Sequence, residues 1–158
     1  RCRRVYVCFD RDATGRAADV ASLFGVRGRV VLLPEDLGPH GDLNDLLVRC
    51  GGAEEFRRAL EPLLRQAPTG YAVRIDAIHC DDPLELYAQA AGLLAELHRL
   101  DPISRALHLQ RLSERTGVAV GVLEQAAAEA AAHEAELARA QASGNGGAHG
   151  GPSGPSAQ

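Results

Sequence analysis

Val5-Tyr-Val-Cys-Phe9, then Asp10-Arg-Asp-Ala-Thr-Gly15, then the Ala-rich stretch from Arg16 to Phe24, decide how this chain folds. The first five residues are apolar, β-branched or aromatic, the pattern of a strand buried in a sheet. The next six hold two acids, a Thr and a Gly, residues that end a strand and open a helix. The spacing of Ala17, Val20, Ala21 and Phe24 predicts a helix with those four on one side, and Gly25 and Gly28 punctuate its end. Arg29-Val-Val-Leu-Leu33 predicts a second buried strand, stopped by Pro34. Strand, helix and strand with a crossover of this size make a parallel βαβ unit.

Beyond it, Pro34 to Gly41 is rich in Pro, Gly and acid and is read as a surface loop. A short helix follows Asp42 and is broken by Gly51-Gly52. Ala53 to Gln66 predicts an amphipathic helix with Phe56, Leu60, Leu63 and Leu64 inward. Ala67-Pro-Thr-Gly70 marks a boundary, and Tyr71 to Ile78 fits strand or helix by periodicity. From Asp82-Pro83 onward the pattern is helical: Leu84 to Leu100, then a helix opened by Asp101-Pro102 and ending near Thr116-Gly117, then an Ala-rich helix from Val120 to Gln141. Its Ala126 to Ala142 stretch could pack on a partner helix, but is read as solvated and leading into the tail. Ser143 to Gln158 holds no large apolar residue, so it cannot offset its ordering entropy and is read as disordered. The expected architecture is an α/β part over residues 1–66, an all-α segment over 67–141 and a tail over 142–158.

All 17 basic side chains are Arg, set against 21 acids for a formal net charge of -4. The absence of Lys, with the high Ala and Gly content, reads as the bias of a GC-rich coding sequence. A net negative charge argues against a strongly basic nucleic-acid scaffold, yet residues 1–66 hold 11 Arg against 10 acids. That half can still meet a polyanion through local Arg groups and metal ions. Cys2, Cys8, Cys50 and Cys80 show no zinc spacing, and Cys8 is read as a small core residue. With no signal peptide and no run long enough to span a bilayer, the expected setting is cytoplasmic, without a membrane partner. The chain opens on Arg1 and enters a strand within four residues, which reads as a fragment.

The chemistry lies in the acids. At the carboxyl end of a parallel strand, Asp10 and Asp12 would project into the crevice where α/β sheets bind ligands. Residues two apart on an extended segment point the same way, so both carboxylates can face one hard cation. Gly15 would let a phosphate approach the backbone at the start of the helix, whose amides favour anions. Arg11 and Arg16 are candidate phosphate contacts, against the plainer reading of solvated side chains. Asp42, Asn44 and Asp45 lie just past the second strand, where a third acidic group could converge on the same crevice. The plainer readings are that Asp10 and Asp12 cap the first helix, and that Asp42 and Asp45 form a box-like cap on the next.

Phe9-Asp-Arg-Asp-Ala-Thr-Gly15, Val30-Val-Leu-Leu-Pro34 and Asp42-Leu-Asn-Asp-Leu-Leu47 together resemble the second half of a Toprim domain. The resemblance implies a small α/β sheet that binds a divalent metal, Mg²⁺ or Mn²⁺, for phosphoryl-transfer or phosphodiester chemistry. It matches Asp10 and Asp12 to the paired metal-binding aspartates, Asp42 to the later acidic position and Asp45 to a fourth. Gly51 to Leu64 resembles the helix that closes the Toprim domain of bacterial DNA primases. Asp82 to Leu123 resembles the helical segment after it, around Leu100-Asp-Pro-Ile-Ser-Arg-Ala-Leu-His-Leu-Gln110. The implied whole protein synthesises RNA primers on single-stranded DNA from nucleoside triphosphates, with a replicative helicase as a possible partner. Two positions depart from the pattern: Arg11 stands where primases usually carry Gly, and Gly41 where related sequences often have Lys. The catalytic Glu that the family places on an earlier strand, and a zinc-binding region with its zinc, would lie upstream, so this chain alone is expected to be inactive.

Other readings fit parts of the sequence. Phage-type primase-helicases, nucleases and topoisomerases share the metal motif but not the helical segment from Asp82. A degenerate Toprim remnant would act as a nucleic-acid or protein binding module. Val5 to Thr14 also fits the haloacid-dehalogenase phosphatase signature, with Asp10 as nucleophile and Asp12 as general acid. That family needs a later Lys, which this chain lacks. His79-Cys80 and the pair His98 and His108 could suggest a metal pair, but nothing converges on them and they are read as surface or core-edge residues.

Overall fold

A computed structural model describes residues 2–79 and 82–144. Among the described residues it is mostly helical, around a small two-stranded parallel sheet. The expected βαβ unit is present. Strand β1 (Val5–Val7) leads through a single turn at Arg11–Ala13 into helix α1 (Thr14–Ser22), and the chain returns in β2 (Gly28–Val30). Val5 pairs with Gly28 and Val7 with Val30, in parallel. The other edge of β2 meets the segment after residue 66: the Val30 amide donates to the Pro68 carbonyl, and Arg29 and Thr69 form an antiparallel bridge.

The strands differ from their expected burial. Both stretches were read as buried, and the second holds better than the first. Val30, Val31 and Leu33 are buried and Leu32 is exposed, whereas in the first only Val7 is buried and Tyr6 and Phe9 remain exposed. Helix α1 also presents a different stripe. Ala17, Ala18, Ala21 and Ser22 are buried, whereas Val20 and Phe24, expected inward, face solvent. Close approach selects the small residues. A β-carbon on Gly28 would lie 1.9 Å from the Ala21 carbonyl oxygen, and one on Gly70 would lie 2.4 Å from that of Ala18. A branched side chain at either seam would hold the backbones apart, so the helix turns its small stripe inward.

A tight turn at Glu35–Leu37 precedes α2 (Leu43–Cys50) and α3 (Ala53–Gln66). The inward stripe expected on α3 is only half-buried, because α2 is its main neighbour. The stretch 71–78, ambiguous from sequence, is helix α4 (Gly70–Asp76), capped by Thr69, whose hydroxyl accepts from the Ala72 amide. Three longer helices follow: α5 (Pro83–His98), α6 (Pro102–Thr116) and α7 (Val120–Gly144). Asp101 caps α6 through the Ser104 amide, with Pro102 in the first turn, as the sequence predicts.

Helix α7 packs against α5, and Ala126, Ala127 and Ala130 lie in or against the larger core, so the solvated reading of Ala126 to Ala142 does not hold for its first turns. It also extends to Gly144, three residues beyond the expected end at Gln141. The disordered reading of the tail falls, from residue 145 on, outside the described residues. The larger core gathers Ile75 from α4, Leu94 and Leu97 from α5 and Leu109 and Leu112 from α6, all fully buried. The smaller core lies between α1 and the sheet, and Val73 of α4 packs against it. Helix α4 therefore belongs to both. Among the described residues no helix is long and apolar enough to cross a membrane.

Candidate metal centre

The end of β1 places Asp10 and Asp12 on either side of Arg11, in the turn that opens α1. Asp10 precedes the turn in extended conformation and makes no side-chain capping bond. The residue that caps α1 is Ala13, also without a side-chain bond. Neither carboxylate therefore bonds a helix amide, and the plainer reading of this pair fails as side-chain capping, although Asp10 does stand at the head of the turn. Instead the turn is closed by the backbone, with the Ala13 amide donating to the Asp10 carbonyl, and by the Thr14 hydroxyl donating to the Arg11 carbonyl at 2.7 Å.

The plainer reading does hold for the second acidic group. Asp42 and Asp45 form a reciprocal capping box on α2. The Asp45 amide donates to Asp42 Oδ1 at 2.8 Å, and the Asp42 amide donates to Asp45 Oδ2 at 3.0 Å. Each acid spends one oxygen on this box. Asp45 is exposed and Asp42 half-buried.

The two acidic loops meet. The Arg11 amide donates to the Gly41 carbonyl at 3.2 Å, and its Nη1 donates to the carbonyls of Glu35 at 2.8 Å and Gly38 at 3.1 Å. His40 Nδ1 lies 2.8 Å from Asp12 Oδ2. Cys8, the residue after β1, is half-buried rather than the core residue expected. Burial, together with the carboxylates of Asp10 and Asp42, holds its thiol above the ordinary value. The same thiol thus senses an acid from each loop. Gly41 is required where it stands, because a β-carbon there would lie 2.5 Å from the Leu37 β-carbon. That contact accounts for one departure from the resemblance, Gly41 in place of a longer residue.

The phosphate candidates are placed differently. Gly15 lies in the first turn of α1 with open space around it, beside a cleft of about 430 Å³ that Arg74 and Gln89 also line. Arg16 is exposed on α1, and Arg11 is occupied by carbonyls. His40 and the linking role of Arg11 carry no sequence signal of their own, since both depend on contacts between residues 24 to 28 positions apart. His108, read as a surface or core-edge residue, packs its ring on Tyr71 at 5.5 Å and meets the Thr69 hydroxyl at 3.5 Å. His98 lies in the last turn of α5, and Cys80, beside His79, falls outside the described residues.

Among the described residues, no three His, Cys, Asp or Glu side chains are drawn together closely enough to hold a metal ion by themselves. No protein-family model, curated protein or solved structure matches the chain.

Proposed function

We propose that this chain is the metal-binding second half of a Toprim-type domain with the helical segment of a primase-like protein. The observation that carries the reading is the seam from the Arg11 amide to the Gly41 carbonyl at 3.2 Å, which joins the acidic loop after β1 to the acidic loop before α2. A parallel βαβ unit with acids at the carboxyl end of its first strand is the place where α/β sheets bind ligands. Asp10 and Asp12 would hold Mg²⁺ or Mn²⁺, with the free oxygen of Asp42 facing the same ion and Asp45 behind it. The ion would stabilise charge on phosphate oxygens during nucleotidyl transfer. In the whole protein the substrates would be nucleoside triphosphates and a single-stranded DNA template, with a replicative helicase as partner and the zinc and catalytic Glu supplied upstream. This chain by itself would make no primer.

A second reading has its own support. The Asp12–His40 pair and the Asp42–Asp45 box satisfy carboxylate oxygens without any metal. That favours a Toprim remnant that binds nucleic acid or protein through its surface.

Titration with Mn²⁺, followed by the loss of its free electron-spin signal, separates the two. The metal reading expects the chain to bind Mn²⁺, and Asp10→Asn and Asp12→Asn each to weaken that binding at least about tenfold. Equal signals from the native chain and both variants would leave only the remnant.

A further inference from the structure

We infer that Arg11 is a positioning residue, which sets the separation of the two acidic loops and does not contact phosphate. The inference rests on the metal reading above and adds what arranges that site.

Arg11 is half-buried, and its polar groups are committed on both sides. Its amide is given to Gly41, its carbonyl takes the Thr14 hydroxyl, and its guanidinium reaches two carbonyls of the turn at residues 35–38. Those carbonyls already accept within the turn: Glu35 from the Gly38 amide and Gly38 from the Gly41 amide. A carbonyl oxygen has two lone pairs, so the guanidinium completes each acceptor without displacing the turn's own bonds. Charge assistance makes these bonds stronger than neutral ones.

The turn is also gripped from its other side. Arg49 of α2 pairs with Asp36, and α2 is the helix that Asp42 caps. Gly38 adopts a left-handed φ of 82°, and Gly41 packs on Leu37 too closely for any side chain, so the turn has little freedom to shift. With the turn fixed, Arg11 fixes its own neighbours. Asp10 and Asp12 are the residues before and after it, and a movement of Arg11 moves both carboxylates relative to Asp42. A Gly at this position, as in the pattern the sequence resembles, would supply the amide bond but neither guanidinium bond.

The test uses the whole chain with Mn²⁺ as the probe, and compares Arg11→Ala, Arg11→Lys and Asp10→Asn. Groups that orient metal ligands from behind are worth about 10–100-fold in affinity, so Arg11→Ala should weaken Mn²⁺ binding by about tenfold or more. Arg11→Lys keeps a donor within reach of the carbonyls and should restore most of the loss. Amide exchange supplies a readout independent of metal: Arg11→Ala should expose the amides of Gly38 and Gly41 while those of Val30 and Leu97 stay protected. Unchanged Mn²⁺ affinity in Arg11→Ala, with loss in Asp10→Asn, would overturn the inference and leave the metal reading standing. Unchanged affinity in both would sink the metal reading, and the positioning role with it. Loss in Arg11→Ala without recovery in Arg11→Lys, and without faster exchange at Gly38, would also overturn it, because the loss would then not come through the turn.

Discussion

A β-carbon at position 28 would stand 1.9 Å from the Ala21 carbonyl oxygen and 2.7 Å from its carbon, both backbone atoms of a packed helix. No side-chain rotation relieves that contact, so Gly28→Ala must lift α1 from the sheet. Overpacking of this kind costs about 1–3 kcal/mol and more where backbone must move, and Gly28→Ala belongs at the upper end. Gly15→Ala meets nothing within 4 Å and should stay within about 0.5 kcal/mol of the native chain. Urea midpoints of the two variants decide the point, and equal midpoints would mean that the α1 seam is looser than described. The sequence makes both residues Gly and invites opposite roles: Gly28 as a helix stop, Gly15 as the residue needed for close approach. Residue type reports conformational freedom. What approaches the residue is decided by partners far along the chain, here the buried Ala stripe of α1, which a single sequence does not display. The same limit hid Arg11, whose bonding partners lie 24 and more positions away.

At the scale of elements, helix α6 meets α4 and its capping residue Thr69 through His108. Burial first, and then the charges of Arg111 and Arg29, hold the His108 imidazole below its ordinary value. The folded chain therefore binds this proton less readily than the unfolded chain. The neutral-His contribution is fully present above the ordinary value of about 6.5 and is lost as pH falls from there through the lowered native value. Melting temperature should thus drop more steeply between about pH 7.5 and pH 5.5 for the native chain than for His108→Phe, which keeps a ring against Tyr71. Parallel profiles for the two would remove His108 as the cause. Much at this scale was legible in advance: the βαβ order, the breaks at Gly51-Gly52 and Gly117, and the Asp101-Pro102 cap all carry local chemistry. The face of α1 and the half-exposed strands were not, because periodicity marks apolar residues but not which face receives a neighbour. Periodicity was likewise silent on α4, a seven-residue helix too short to show a full repeat. The acids at the candidate site stood out by spacing, while their pairing with His40 and with each other required the loops to be brought together.

Across the whole molecule, α4 decides whether there are two folding units or one. Its Val73 packs on the small core under α1, and its Ile75 sits fully buried in the larger core among α5, α6 and α7. Tyr71 of the same helix donates its hydroxyl to the Ser22 carbonyl at the end of α1, and Arg74 reaches both Glu96 of α5 and Asp19 of α1. Both cores are modest, and the two-stranded sheet has too little apolar face to stand alone. The α/β part should therefore derive its stability from the helical part through α4. Leu112, fully buried in α6, makes no contribution to the small core and is the place to perturb. Leu112→Ala should cost about 2–5 kcal/mol by lost burial and the cavity left behind. In one cooperative unit the same loss would appear at the Val30 amide, which is bonded to the Pro68 carbonyl in the α/β part. Hydrogen exchange at Val30 and at Leu97 should then accelerate by the same factor in Leu112→Ala. Acceleration confined to Leu97 would mean that the α/β part opens on its own, and that α4 joins the two cores without coupling them.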